Sequence, residues 1–264
     1  MLVIDLGKQL YLASMLRCFI LFLFLELSLC AEHIISIEPQ AYWVKRTREG
    51  GSRQTGWLGG FKADYDRISP GRLYWGGHVD WAKGSLTGKN GGGFTIKSTL
   101  TDYEAEARAG FTFHTHARCC LSFTPFVAWG LYQAKNDFKD PSPLLVIFKD
   151  SYEYAAGGFI FRFNRADCWT GGINFSAKYM LDGKSKLTDK ELETSQTLSV
   201  GEKWQYEVEL PVFWRTYCKC VQAHVGIVPF WKLRQFGGTE NFPFDFRETK
   251  YVNWGARLEG AIYF

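Results

Sequence analysis

The chain has 264 residues, of which 46% are hydrophobic and 17% aromatic, with 27 glycines and only 8 prolines. A net charge of +4 gives no basic stripe and sets nucleic-acid binding aside. A mean hydropathy of −0.17 sets aside a bundle of membrane-crossing helices. Many aromatics and glycines with few long apolar runs suit an all-β architecture.

Residues 1–31 read as a secretory signal peptide. Arg17 precedes the apolar run Cys18 to Leu29, which is broken only by Glu26, and small residues Ser28, Cys30 and Ala31 follow. The run is short for a transmembrane helix. Asp5 is out of place in a basic leader, so Met15 fits better as the start. Residues 32–264 then form the mature domain.

Beyond residue 32 the sequence breaks into segments that alternate with a period of two, the mark of strands with unlike faces. Ile35 to Lys45 is a first, irregular strand. Trp57 to Tyr65 and Leu73 to Trp81 follow, then Tyr103 to Phe113 and Leu121 to Leu131. Tyr152 to Phe163 swaps its faces at Gly157-Gly158, which predicts a bulge there. Ile173 to Tyr179, Trp204 to Val212 and Val221 to Arg234 continue the pattern. The last strand, Tyr251 to Phe264, sets Val252, Trp254, Ala256, Leu258, Gly260, Ile262 and Phe264 on one face and every charge on the other. This gives about ten strands of roughly ten residues, the length a tilted strand needs to cross a bilayer.

The connections alternate too. Short turns are expected at Arg67 to Arg72, Thr115 to Cys119, Arg165 to Cys168 and Arg215 to Cys218. Long loops are expected near Gly84 to Thr101, Lys135 to Pro143, Asp182 to Gly201 and Gln235 to Glu248, with a modest first one at Thr47 to Arg53. Short turns on one side and long loops on the other, along an even number of strands, are the rhythm of a membrane barrel.

With the segments GWLGGFKADYD (Gly56 to Asp66), TPFVAWG (Thr124 to Gly130) and the terminal GAIYF, most of the mature chain resembles a small Gram-negative outer-membrane β-barrel. The resemblance implies an all-β, transmembrane, antiparallel up-and-down barrel of about ten strands. It implies outer-membrane lipid and the barrel assembly machinery as partners, periplasmic termini and turns, and loops outside. Trp254, Leu258, Ile262 and Phe264 match the assembly signal, with Ile262 where an aromatic is common. These motifs belong to the class and name no single function.

Such barrels usually lack cysteine, yet Cys119, Cys120, Cys168, Cys218 and Cys220 all fall at or beside the short turns. In an oxidising compartment neighbouring turns bring pairs within reach, and an odd count leaves one thiol free or bonded to another envelope protein. This resembles the disulfide cross-linked envelopes of obligate intracellular bacteria. His114 and His116 precede Cys119 and Cys120, but the spacing matches no standard zinc pattern, so no metal and no cofactor is expected.

The inward face is expected to carry Lys62, Asp64, His78, Asp80, Glu104, Glu106, Arg108, Lys178, Glu207, Glu209, His224, Lys232, Arg234, Arg257 and Glu259. Such charges either line a narrow pore or fill it as a paired network. The leading expectation is a small porin-like or structural envelope barrel without enzyme activity. An adhesin acting through its loops, Leu181 to Gly201 above all, is the alternative. Similarity to the omptin proteases is weaker: His78 and Asp80 share a face, but their expected depth is mid-barrel rather than at the rim.

Overall fold

The computed structural model describes residues 32–68, 71–115, 120–164, 169–218, 221–241 and 245–264, so the leader expected at 1–31 lies outside the described residues. Thirteen strand segments run in chain order: β1 (Glu32–Arg48), β2 (Ser52–Ile68), β3 (Leu73–Lys89), β4 (Thr95–Phe111), β5 (Phe113–Thr115), β6 (Cys120–Lys139), β7 (Val146–Asn164), β8 (Trp169–Asp189), β9 (Ser195–Val200), β10 (Trp204–Glu209), β11 (Val212–Cys218), β12 (Val221–Phe236) and β13 (Thr249–Tyr263). β5 prolongs β4. β9, β10 and β11 are three pieces of one strand, each paired with β8. Every neighbouring pair is antiparallel, and β1 pairs with both β2 and β13, so ten strands close into a barrel. Closure leaves no sheet edge, which a lipid environment requires. The start of β1 and the residue after β13 meet on the turn side: His33 N–H donates to the Phe264 carbonyl at 3.1 Å and Phe264 N–H to the His33 carbonyl at 3.0 Å.

The strands are much longer than the ten residues expected. β1 to β4 have 17 each and β8 has 21. Seventeen residues span ~56 Å, or ~43 Å of barrel height at a tilt of about 40°. An apolar band is ~25 Å tall, so the barrel projects well past it. Most of the expected long loops are therefore strand. β3 and β4 are joined by residues 90–94 alone, β8 and β9 by 190–194, and only 237–248 stays long.

The reason lies in an inversion of sidedness. In the lower, turn-side part the exposed side chains are apolar and aromatic, among them Ile37, Phe61, Trp81, Trp129, Trp254 and Leu258. Higher up, one row across six strands reads Lys83, Thr101, Lys135, Lys149, Lys186, Thr197, all in direct register. The inward residues there are Leu86, Ile96, Leu100, Phe138, Phe148 and Leu198, all buried. The upper wall is thus patterned like a soluble protein, polar outside and apolar inside.

Two further expectations are corrected. β1 is not irregular, for Ser36, Glu38, Gln40, Tyr42, Val44 and Arg46 are buried at every second position. Gly157 and Gly158 pair regularly with Ala177 and Ser176; the bulge lies instead where Ser151 and Glu153 face Lys184 and Leu181, with Asp182 at φ 38°. Cys119, Cys168 and Cys220 lie outside the described residues, and Cys120 and Cys218 are described only as strand ends.

Candidate functional site: the lumen

Alternation fixes which side chains enter the barrel. With lipid outside, the polar set must turn inward. The fifteen charged residues named from the sequence all do so: twelve are buried, and Asp64, Arg108 and Glu259 are half-buried. The structure joins most of them into one belt at mid-height.

The belt spans the lumen rather than lining it. Lys178 on β8 lies 2.5 Å from Glu104 on β4, 2.9 Å from Glu207 and 3.3 Å from Glu106. Arg234 on β12 reaches Asp102 on β4 at 2.9 Å and also pairs with Glu104. Lys232 bridges Asp80 on β3 (2.9 Å) and Glu207 (3.0 Å). Below these, Arg257 pairs with Glu38 (2.7 Å) and Glu209, and Lys62 with Asp64 at 2.9 Å. Neutral donors complete the belt: the Tyr154 hydroxyl, 2.7 Å from Glu104 and 2.8 Å from Glu106, shares its one proton between them, Tyr42 O–H donates to Asp102 (3.0 Å), and Gln40 to Asp80. Taking so many charges out of water is tolerable only because each meets a counter-charge or a hydrogen bond.

An aromatic and apolar layer sits directly above. Tyr42, Tyr132, Tyr152, Phe230, Phe236 and Tyr251 are buried there, and the Tyr132 and Tyr152 ring centroids stand 4.8 Å apart. It is tied to the belt by cation–π contacts: the Arg234 guanidinium lies 4.4 Å from the Tyr132 ring centroid and that of Arg257 4.6 Å from Phe230. Gly130 makes room for this packing, since a Cβ there would run into the ring of Tyr154. Below the belt a polar cavity of about 180 Å³ opens towards the turns, bounded by Asp64, Asp66, Arg108, Arg162, Glu209 and Glu259. In its wall His224 contacts Glu259 at 2.7 Å and Tyr263 at 2.5 Å.

His78, Glu104 and Glu106 bring three metal-type donors within 4.8 Å of one another. The donors are already engaged by the chain: Lys178 serves both glutamates, Arg108 reaches Glu106 at 2.5 Å, and the Arg108 Nη2 donor faces His78 Nδ1 at 3.1 Å. With an ammonium and a guanidinium already on its donors, the set does not fit a metal. His78 and Asp80 do not form a pair of their own either, because Asp80 is held by Lys232 and Gln40 and His78 by Arg108.

The sequence reading missed Glu38, Gln40, Asp102 and the four tyrosines Tyr42, Tyr132, Tyr152 and Tyr154. The signal was present for the first two, which alternate with Ile37, Pro39 and Ala41. Asp102 and Tyr132 fell one residue outside strands drawn too short.

No family profile matches the sequence, and no curated protein does. Solved structures do match. The outer-membrane protease OmpT from Escherichia coli aligns at a TM-score of 0.55 and 10% identity, over 89% of this chain and 96% of that one. The transport unit of the autotransporter AIDA-I from Escherichia coli aligns at 0.44 and 9% identity, over 89% of each chain. A major outer-membrane protein from Thermus thermophilus aligns at 0.43 and 10% identity, over 89% of this chain and all of that one. At these identities the likeness is one of fold: the chain has the fold of bacterial outer-membrane β-barrels.

Proposed function

We propose that the protein is an integral outer-membrane barrel with a closed lumen, a structural envelope element whose contacts with other molecules are made at its loop mouth. One observation carries this reading: Lys178, Lys232 and Arg234 reach carboxylates on the opposite wall rather than standing hydrated along a channel. The apolar layer above them is a second barrier. The outward aromatic surface, up to the level of Trp81 and Trp254, supports residence in a bilayer, and the lysine row above supports an upper part in water. With the turn side in the periplasm, as in the class it resembles, the mouth faces outward. Labelling intact cells then succeeds at Lys190 and fails at Cys168, and the reverse pattern means an inverted barrel. Of the two roles read from the sequence, the charge pairing favours the structural one over the porin.

The test is single-channel conductance of the refolded mature chain in a planar bilayer, alongside gel mobility before and after boiling. A heat-dependent mobility shift with a silent bilayer agrees with a closed barrel. Discrete conductance steps overturn it and make the lumen charges selectivity residues. Identical mobility in both lanes counts against the barrel itself.

A further inference from the structure

The loop mouth contains a second site that the lumen does not explain. A cavity of about 590 Å³ lies between the ends of β1, β4, β6, β7 and β8 and the loop that follows β12. That volume is in the range of small-molecule sites. Ile96, Phe138 and Phe148, all buried and packed together with Val146 and Leu187, form its apolar wall. Leu144, two-thirds exposed, stands at its rim.

Three guanidiniums face this wall, those of Arg46, Arg48 and Arg247. In the lumen, Arg108, Arg234 and Arg257 each have a carboxylate within 3 Å. At the mouth none of the three arginines forms an ion pair among the described residues. Arg46 donates only to neutral groups, the Tyr251 hydroxyl at 3.0 Å and Gln54 at 2.9 Å. Arg48 is held between the rings of Phe148 (4.9 Å) and Phe246 (5.5 Å), and its Nε is buried without a hydrogen-bond partner. Arg247 rests on Gly50, where a Cβ would collide with its Nη1; Gly50 has φ +88° and is suited to glycine on both counts.

Acids are nearby, but among the described residues none forms an ion pair with the three arginines. Asp150, buried within electrostatic range of Arg46 and Arg48, accepts the Ser185 hydroxyl at 2.5 Å and forms no ion pair among the described residues. Asp189 Oδ1 accepts the N–H groups of Glu191 and Leu192, and Asp245 Oδ1 accepts that of Asn241. Glu49 also lines the cavity and forms no ion pair among the described residues. Of the three, Arg46 is buried, Arg48 half-buried and Arg247 exposed at the rim. A guanidinium held partly out of water without a contacting counter-ion is costly, and the apolar wall beside them defines a complementary guest.

We propose that the mouth binds a small amphipathic anion: an aromatic or acyl body seated on Ile96, Phe138 and Phe148, with one anionic head group at Arg48 and Arg247. The inference deepens the closed-barrel reading by giving the mouth a ligand class.

The test titrates 2-naphthoate, its neutral analogue 2-naphthamide and inorganic phosphate against the refolded chain in detergent-free nanodiscs, by calorimetry. Naphthoate is expected to bind at least tenfold more tightly than the amide and than phosphate, since the amide lacks the charge-assisted hydrogen bonds and phosphate lacks the apolar body. Arg48→Gln and Arg247→Gln each weaken naphthoate about tenfold or more. Leu144→Asp, on an exposed loop, weakens it by repulsion without touching the barrel. If Arg48→Gln does not fold, as judged by the heat-dependent gel shift, Arg247→Gln and Leu144→Asp carry the test. Equal binding of naphthoate and naphthamide, or variants that bind like the parent, overturns the site. Tighter binding of phosphate than naphthoate overturns the amphipathic assignment. Conductance of the same refolded batches is read in a planar bilayer, so a conducting barrel that still discriminates the two naphthyl compounds sinks the closed lumen and leaves the site standing.

Discussion

Lys178→Met is the most telling perturbation of the belt. The ammonium is about 95% buried and touches Glu104 at 2.5 Å, Glu207 at 2.9 Å and Glu106 at 3.3 Å. Methionine approximates the length of the side chain and removes the charge. Breaking a buried pair costs about 3–5 kcal/mol because the abandoned charge stays buried. Here each carboxylate keeps another cation: Glu104 has Arg234, Glu106 has Arg108 at 2.5 Å and Glu207 has Lys232 at 3.0 Å. The cost therefore belongs at the low end, about 3 kcal/mol, or roughly 150-fold in the folding equilibrium. With an m-value of about 2 kcal/mol per molar, the urea midpoint of the refolded barrel in vesicles falls by about 1.5 M. Adding Glu104→Gln removes one of the surplus negative charges, and the double variant is expected to regain more than half of the loss. A hydrated, pore-lining lysine behaves otherwise, since solvated pairs are worth about 0–1 kcal/mol. A midpoint shift equivalent to less than about 1 kcal/mol, with strictly additive effects of the two substitutions, refutes the sealed belt.

Three further outcomes are expected. Gly130→Leu pushes Tyr154 away from Glu104 and Glu106, removing the hydroxyl's hydrogen bond to these charged groups; a loss of about 2 kcal/mol should appear in the urea midpoint, and an unchanged midpoint means the ring has other room. Leu258→Arg, outward on the aromatic part of β13, should cost about 2–4 kcal/mol of folding into vesicles, whereas Thr87→Arg on the upper wall should stay within about 0.5 kcal/mol; equal effects would erase the boundary between the two zones. Oxidised samples should show higher-mass species on non-reducing gels that collapse with reductant, and monomer alone under oxidising conditions would remove the intermolecular reading of the cysteine-rich rim.

What could be read from the sequence follows one physical rule. Where the outside is aromatic and the inside charged, strand faces contrast sharply, and the fifteen inward charges were legible from alternation alone. Higher up the contrast remains but its sign reverses. Lys184 and Lys186 point out while Ser185 and Leu187 point in, so a search for apolar-outward strands reads the stretch as a polar loop. The same reversal hid β9, where Leu198 and Val200 are buried between exposed Thr197 and Ser199. The bulge was misplaced for a related reason. Its extra residue lies at Asp182 on β8, and the sequence of β7 gives no sign of a partner's irregularity. The mouth arginines were invisible because nothing local marks an arginine as lacking an acid; that depends on how β1, β7 and the loop after β12 meet.

The two zones also explain why polarity alone does not decide between a pore and a plug. Apolar surroundings force a polar interior on any membrane-spanning barrel, open or closed. What separates the cases is the reach of the side chains across the lumen. In a ten-stranded barrel a lysine on β8 and a glutamate on β4 meet in the middle, and an arginine on β12 meets an aspartate on β4. Narrow bore and long side chains turn the lining into a cross-brace. Above the bilayer the constraint lifts and the interior reverts to tyrosine, phenylalanine and leucine, the filling of a soluble core. Among the described residues the apolar core ends in three arginines that form no ion pair, and this pairing of an apolar wall with such cations is why the mouth is the part of the barrel proposed to meet another molecule.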